Sequence, residues 1–249
     1  MITQETIYTL IKKYPLTWYE VDGQNILKPS ALLNHLQDAA TRSADKFGIG
    51  MEFLAPRNYA WFLIKNHLEF YDYPQNVDEI LIKTESRGCS KIFALRDFEV
   101  WSSDESKCLM RSTTQWTMVN LEDKSFIKIN TLDNIPSFEK RDDDLSFPKV
   151  NPQEKYDSHK TFDVRYDDID INGHVNNANY VVWAFEALSH DFRKSHKLKT
   201  LDIIYKKDIT YGNRVVSSLI TENNKTYHIL TNEQTNEQLC ILDAEWVEL

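Results

Sequence analysis

Residues 167–180 read DDIDINGHVNNANY, which gathers carboxylates, amides and an imidazole into one short run. Two chemistries fit these residue types. In the first, Asp168, Asp170, Asn172 and Gly173 fall at positions 1, 3, 5 and 6 of a calcium loop, where oxygen ligands and a turning glycine are wanted. In the second, Asp170, Asn172 and His174 bring a carboxylate, an amide and an imidazole onto a loop before a helix, a set that can move protons. A calcium loop needs a bidentate Glu at position 12, where this chain has Asn179, and a helix on each side. The preceding segment HKTFDVRY instead alternates Phe162, Val164 and Tyr166 with Thr161, Asp163 and Arg165, the period of a strand. The loop therefore runs from strand to helix, and no metal is expected on it.

The elements that must position this loop occur twice. Tyr166 is followed 11 residues later by Asn177. The helix expected there shows Ala178, Val181, Val182, Phe185 and Leu188 on one face, with Asn176 or Asn177 as its cap. Tyr19 is likewise followed 11 residues later by Ser30. SALLNHLQDAATRSADKFGIG then reads as a helix with Leu32, Leu36, Ala39, Ala40 and Phe47 near helical spacing, capped by Ser30. Long β-rich tracts follow each helix, joined by turn-like SSDES, YGN, NNK and NEQTNEQ. One helix per several antiparallel strands predicts an α+β architecture, each helix lying across a curved antiparallel sheet. PSFEKRDDDLSFPKVNPQEKYD carries many charges and its own prolines, so the expected division is a domain over 1–135, a linker over 136–157 and a domain over 158–249.

Setting the halves in register at an offset of 147 residues puts Asp170 on Gly23, Asn172 on Asn25 and His174 on Leu27. On that register the first half has the scaffold without the acid or the imidazole, which favours chemistry in the second half alone.

Composition narrows the classes further. With 249 residues, 41% of them hydrophobic, and six glycines, the chain can bury a real core and is an ordinary globular protein. Its amino terminus lacks a basic region followed by a long apolar run, and no stretch approaches a membrane span, so neither export nor insertion is expected. Cys89, Cys108 and Cys240 lie far apart in neither a metal nor a disulfide pattern and read as free thiols of a reducing cytoplasm. A formal net charge of -9 argues against nucleic acid, which requires clustered cations. The basic run RKSHKLK, Arg193 to Lys199, is the one local exception, either a docking patch or cations complementing a helix carboxyl end.

At this point the chain resembles the acyl-acyl carrier protein thioesterases of the tandem hotdog fold. DIDINGHVNNANYVVWAFEAL matches that family's Asp-x-Asn-x-His-Val-Asn-Asn loop and following helix, and the likeness continues in YKKDITYGNRV, AWFLIKNHLEFYDYP and KCLMRSTTQWTMVNLEDK. It covers nearly the whole chain outside the linker and is more like the compact bacterial forms.

The resemblance implies a cytoplasmic hydrolase that releases free fatty acid from acyl carrier protein, whose acyl group hangs on phosphopantetheine. Catalytic roles are implied for Asp170, Asn172, His174 and Asp208, the last lying 34 positions after the histidine. The next position, often Cys in the family, is Ile209, so no thiol nucleophile is expected there. A thioester needs donors for the developing oxyanion and an activated water or carboxylate. It asks little of a general acid, because a thiol leaves with a pKa of roughly 8.5. Either Asp170 or Asp208 would act as base or nucleophile, Asn172 would orient water or substrate, and His174 would carry a proton. Asn176 and Asn177 begin the helix whose amides could bind the thioester oxygen, and Trp61 and Leu63 would line the acyl slot. No cofactor is implied, and a homodimer is an allowed assembly. The alternatives are an acyl-CoA thioesterase and a catalytically silent acyl-binding hotdog protein.

Overall fold

A computed structural model of the chain describes residues 2, 6–74, 79–133, 135–151, 153 and 155–249. Ten strands form one antiparallel sheet. In chain order they are β1 (Thr9–Pro15), β2 (Tyr59–Phe70), β3 (Glu79–Ser90), β4 (Phe93–Ser102), β5 (Cys108–Asn120), β6 (Ser158–Asp163), β7 (His196–Tyr205), β8 (Arg214–Glu222), β9 (Lys225–Asn232) and β10 (Gln238–Glu248). Their spatial order is β1-β3-β4-β5-β2-β7-β10-β9-β8-β6. Read from the middle outward, β2, β5, β4, β3, β1 is matched by β7, β10, β9, β8, β6, so the repeat seen in the sequence is also a repeat of topology. The halves join edge to edge where β2 pairs with β7, from Lys65 opposite Ile204 to Glu69 opposite Thr200.

Each half contributes one main helix to the same face of the sheet, α1 (Pro29–Lys46) and α3 (Asn177–Phe185). Helix α1 starts with Pro29 at its first position, where a missing N–H costs nothing. Lys28 is its N-cap, two residues earlier than the Ser30 cap expected from sequence. Its buried stripe is Leu32, Leu33, Leu36, Ala39, Ala40 and Ser43, and Gly48 at φ 81 lets the chain turn away after it. Two short helices, α2 (Met51–Leu54) and α4 (His190–Ser195), follow them. One apolar core runs under both main helices: Leu32, Leu36 and Ile82 from the first half pack in the same cluster as Val181, Phe185 and Leu242 from the second.

Strand β6 is shorter than the sequence pattern suggests. It ends at Asp163, and Tyr166 belongs to a single 3-10 turn, Tyr166–Asp168. A bulge in β2 between Leu63 and Lys65 changes which residues face the helices, from Trp61 and Leu63 before it to Asn66 and Leu68 after it.

The segment over 136–157, apart from Pro152 and Glu154, which lie outside the described residues, is seated on the sheet. Arg87 is paired with both Asp97 and Asp144, and Arg141 makes two hydrogen bonds to Glu85 at 2.7 and 2.9 Å. Gly88, at φ 91, is needed where this segment crosses β3, because a Cβ there would lie 2.5 Å from the Pro136 carbonyl oxygen. The three cysteines are free thiols, Cys89 and Cys240 buried and Cys108 half-buried.

Candidate active site

Asp168 anchors the loop that follows β6. It is 1% exposed. Its carboxylate accepts hydrogen bonds from the Arg165 backbone at 2.8 Å and the Arg165 guanidinium at 2.6 Å. Its carbonyl accepts from Asn176 N at 2.9 Å and Asn179 Nδ2 at 3.1 Å. The group that would open a calcium loop is thus a clasp between strand and helix. Among the described residues, no set of three or more His, Cys, Asp or Glu side chains is placed to hold a metal ion.

A tight turn then carries the sequence-selected residues. Asp170 N donates to the His174 carbonyl at 2.8 Å, and Gly173 N donates to the Asp170 carbonyl at 3.0 Å. Asp170 Oδ1 accepts from Asn172 N at 2.8 Å, and Asn172 Nδ2 reaches Asp170 Oδ2 at 3.3 Å. Gly173 sits at φ 78, a conformation in which glycine carries no steric penalty. Val175 N donates to the Ile209 carbonyl at 3.0 Å, fixing the turn beside the segment that leaves β7. That segment brings in Asp208, whose Oδ2 lies 3.0 Å from His174 Nε2. The four residues therefore meet as two pairs, Asp170 with Asn172 and His174 with Asp208. A carboxylate at Nε2 keeps the ring proton on that nitrogen and leaves Nδ1 as the acceptor. Both members of this pair are partly open to solvent, so its value lies in orientation rather than stability.

The helix adjoining the turn is capped as expected: Asn176 Oδ1 accepts from Ala178 N at 3.0 Å, while Asn176 Nδ2 crosses to Asn34 Oδ1 of α1 at 3.2 Å. Asn177 is the first residue of α3, and its carbonyl accepts from the Tyr205 hydroxyl at 3.3 Å. Tyr180, buried under the turn, has its phenol pushed well above the ordinary range by burial, with Cys240, Asp208 and Asp170 adding to it.

The first half builds the same turn, and its hydrogen bonds correct the register. Asp22 N donates to the Ile26 carbonyl at 2.8 Å and Asn25 N to the Asp22 carbonyl at 3.0 Å, with Lys28 N on the Glu20 carbonyl. The bridge Val21 with Leu27 matches Ile169 with Val175. All these pairs are 148 residues apart, not 147. Aligning Tyr19 with Tyr166 misled the sequence comparison, because Tyr166 opens its 3-10 turn whereas Tyr19 is the middle residue of Trp18–Glu20. Asp170 thus corresponds to Asp22, Asn172 to Gln24 and His174 to Ile26.

Asp208 has its counterpart through equivalent bonds at the ends of β2 and β7: Tyr71 N and Asp72 N share the Leu109 carbonyl, as Lys206 N and Lys207 N share that of Leu239. Its equivalent is Tyr73, whose hydroxyl donates to the Leu198 carbonyl at 2.9 Å. The first half therefore keeps the acid, and Asp22 Oδ1 accepts from Gln24 N at 2.8 Å and Ile26 N at 3.0 Å. What the second half has alone is the imidazole and the second carboxylate.

Two cavities lie beside α1. Trp61, with its indole N–H on the Ile49 carbonyl at 3.2 Å, lines an apolar cavity of about 80 Å³ with Ala40, Phe47 and Trp116. Leu63 lines a smaller one of about 20 Å³, which touches Asn177 and Tyr205, and Trp116 borders both. Sequence reading missed Gln37 and Asn66, which also line the smaller cavity. The signal for Gln37 was available, since it lies between Leu33 and Ala40 at helical spacing and so interrupts an apolar stripe. Asn66 was hidden by the β2 bulge. The basic run Arg193 to Lys199 does not follow a helix but spans α4 and the start of β7.

Comparisons with known proteins agree across the chain. Residues 8–133 match the family model of the acyl-ACP thioesterase N-terminal domain, and residues 151–248 that of the acyl-ACP thioesterase C-terminal domain. The chain is 25% identical over 228 residues to oleoyl-acyl carrier protein thioesterase 1 of Arabidopsis thaliana, covering 84% of this chain and 63% of that protein. It is 26% identical to the dodecanoyl-[acyl-carrier-protein] hydrolase of Cinnamomum camphora, covering 84% of this chain and 58% of that one. It spans between about half and five-eighths of the length of these and other curated relatives. In fold it is similar to an acyl-ACP thioesterase from Bacteroides thetaiotaomicron, with a TM-score of 0.84 at 19% identity over 96% of this chain and 98% of that one. It is also similar to the 12:0-ACP thioesterase from Umbellularia californica, with a TM-score of 0.83 at 20% identity over 100% of both chains.

Proposed function

The chain belongs to the acyl-ACP thioesterase family, and we propose that it hydrolyses fatty acyl thioesters of acyl carrier protein in fatty acid biosynthesis. The products are the free fatty acid and the carrier's phosphopantetheine thiol. The observation that carries this reading is the His174–Asp208 pair, 3.0 Å apart, on the turn that leads into α3. In the proposed reaction His174 Nδ1 takes a proton from water while the water oxygen bonds to the thioester carbon. Asp208 holds the imidazolium that forms. The positive end of α3 faces the oxygen on which charge develops. The carbon–sulfur bond then breaks, and the thiolate leaves with the proton returned from His174. Asp170 and Asn172 hold the turn and face the incoming water. The division of labour that goes with this reading is an acyl pocket in the domain over 1–135, catalysis in the domain over 158–249 and the segment 136–157 joining them.

A soluble carrier implies a cytoplasmic reaction, and an acidic one would be met by cations. Lys160, Arg193 and Lys194 border an open groove of about 400 Å³, which Asp22 and Glu186 also line. The decisive experiment compares hydrolysis of one acyl group on carrier protein and on CoA. Faster turnover of the carrier-bound substrate supports the reading. A strong CoA preference replaces it with an acyl-CoA thioesterase, and fatty acid retained without turnover replaces it with a silent acyl-binding protein.

A further inference from the structure

The smaller cavity carries more chemistry than an acyl channel needs. A slot for a hydrocarbon chain should be lined by apolar groups alone, because each unpaired polar group buried there costs free energy. Here Gln37 of α1, Asn66 of β2 and Asn177 at the start of α3 all line the same space of about 20 Å³, room for little more than one oxygen atom, among Leu63, Trp116 and Tyr205. Asn66 is 3% exposed. Its Oδ1 accepts from Ser112 Oγ at 2.7 Å, whereas its Nδ2 has no acceptor among the described residues. The side chain of Gln37, which is partly buried, makes no hydrogen bond with any described residue. It sits one helical turn beyond Asn34, whose side chain is bonded to Asn176, so this face of α1 lies against the start of α3.

Two side-chain amides and the first residue of a nine-residue helix thus border one small space, and that helix begins three residues after His174. Such donors suit an acceptor oxygen, and the thioester carbonyl is the polar atom of an acyl substrate that must come to rest beside the His174–Asp208 pair.

We propose that Gln37, supplied by the first half of the molecule, is a further catalytic residue: its side-chain amide donates to the thioester carbonyl oxygen opposite the Asn177 N–H, with Asn66 as the positioning residue that borders the same oxygen. This rests on the thioesterase reading and adds to it that neither half can carry out the reaction alone. The second half holds the proton-transfer pair, and the first half completes the oxyanion site. As negative charge grows on that oxygen during water attack, a hydrogen bond to it strengthens, so the donor acts on the transition state more than on the bound substrate.

The test is steady-state hydrolysis of an acyl-carrier protein by wild type, Gln37→Leu and Gln37→Glu, with melting temperatures measured alongside. Gln37→Glu keeps the size and shape of the side chain but removes its donors, so it covers the case in which the leucine variant fails to fold. Expected is a fall in kcat of about 10² or more, the loss typical of one oxyanion donor, with KM changing by less than about threefold, as for an interaction made only in the transition state. A residue that merely packs would change the melting temperature or KM and leave kcat near wild type. Folded variants with kcat within about threefold of wild type would overturn the role of Gln37 and leave the thioesterase reading standing. A wild-type protein inactive on every acyl thioester would overturn both.

Discussion

At the residue scale the two halves form a natural control, because the same turn exists with and without the proposed chemistry. Ile26 occupies the place of His174 and Tyr73 that of Asp208, and the turn closes with the same backbone bonds. Replacing the imidazole by what the fold already accepts elsewhere, His174→Ile, should leave the melting temperature near wild type and lower turnover by about 10² or more. Asp208→Asn should do the same. The double variant should be little worse than the worse single one, since residues acting as one unit are strongly non-additive. Steady-state kinetics with thermal melts checks all three, and near-normal hydrolysis by both single variants would end the catalytic assignment. Asp170 should behave differently. Its carboxylate builds the turn as Asp22 does, so Asp170→Ala should lower both the melting temperature and the activity, whereas Asp22→Ala should lower the melting temperature alone. The sequence shows Asp170, Asn172, His174 and Asp208 as candidates because their types are informative. It does not show that the Asp170 carboxylate accepts from the amide of Asn172 within its own turn, because that depends on how the backbone folds there.

At the scale of elements, the start of α3 does more than continue the chain. Asn176 caps it and also ties it to α1 through Asn34, so a single side chain sets the helix end and its distance from the first half. Asn176→Ala should cost about 1 kcal/mol of stability for the lost cap. It should also lower activity beyond that, because the first-turn amides would no longer be held against Gln37. Asn176→Ser restores the cap without the bond to Asn34, so it should recover stability but not full turnover. Equal recovery of both would show that the link to α1 is idle. Helix α1 and most strands were legible from their apolar periods. The caps were less so: Lys28 holds the position assigned to Ser30, because Pro29 fits the first helical position without needing a donor. The single residue that reverses the inward face within β2 was not legible at all, because a bulge preserves composition while shifting its phase.

For the whole molecule, two histidines bound the pH range of stability from opposite sides. His67 lies on the β2–β7 seam, its Nδ1 2.7 Å from Asp202 and its Nε2 3.5 Å from Glu69, with Asp243 opposite Asp202 on the next strand. Burial disfavours its charge, but the hydrogen bonds and attraction of Asp202 and Glu69 outweigh it, so its pKa stands above the ordinary 6.5. A raised value means the folded state holds the proton more tightly, so the stabilisation is complete below about pH 6.5 and is lost as pH rises through the raised pKa. His228, buried in the second half edge-on to Phe185, is the reverse case: burial pushes its pKa down from 6.5 to about 3. The unfolded chain takes up that proton first, so stability falls as pH drops below about 6.5 and continues to fall toward the folded value. This acid loss begins above the ordinary carboxylate range, so the interval from about pH 6.5 to 5 reports on His228 before the carboxylates titrate. Thermal melts across pH should therefore show a maximum near neutrality. His67→Gln should flatten the alkaline side, because β2 and β7 then join without a titrating group, and His228→Leu should flatten the acid side between pH 6.5 and 5 while leaving the other unchanged. If His67→Gln leaves the alkaline slope as steep as in wild type, the seam between the halves is held by its backbone ladder and apolar core alone.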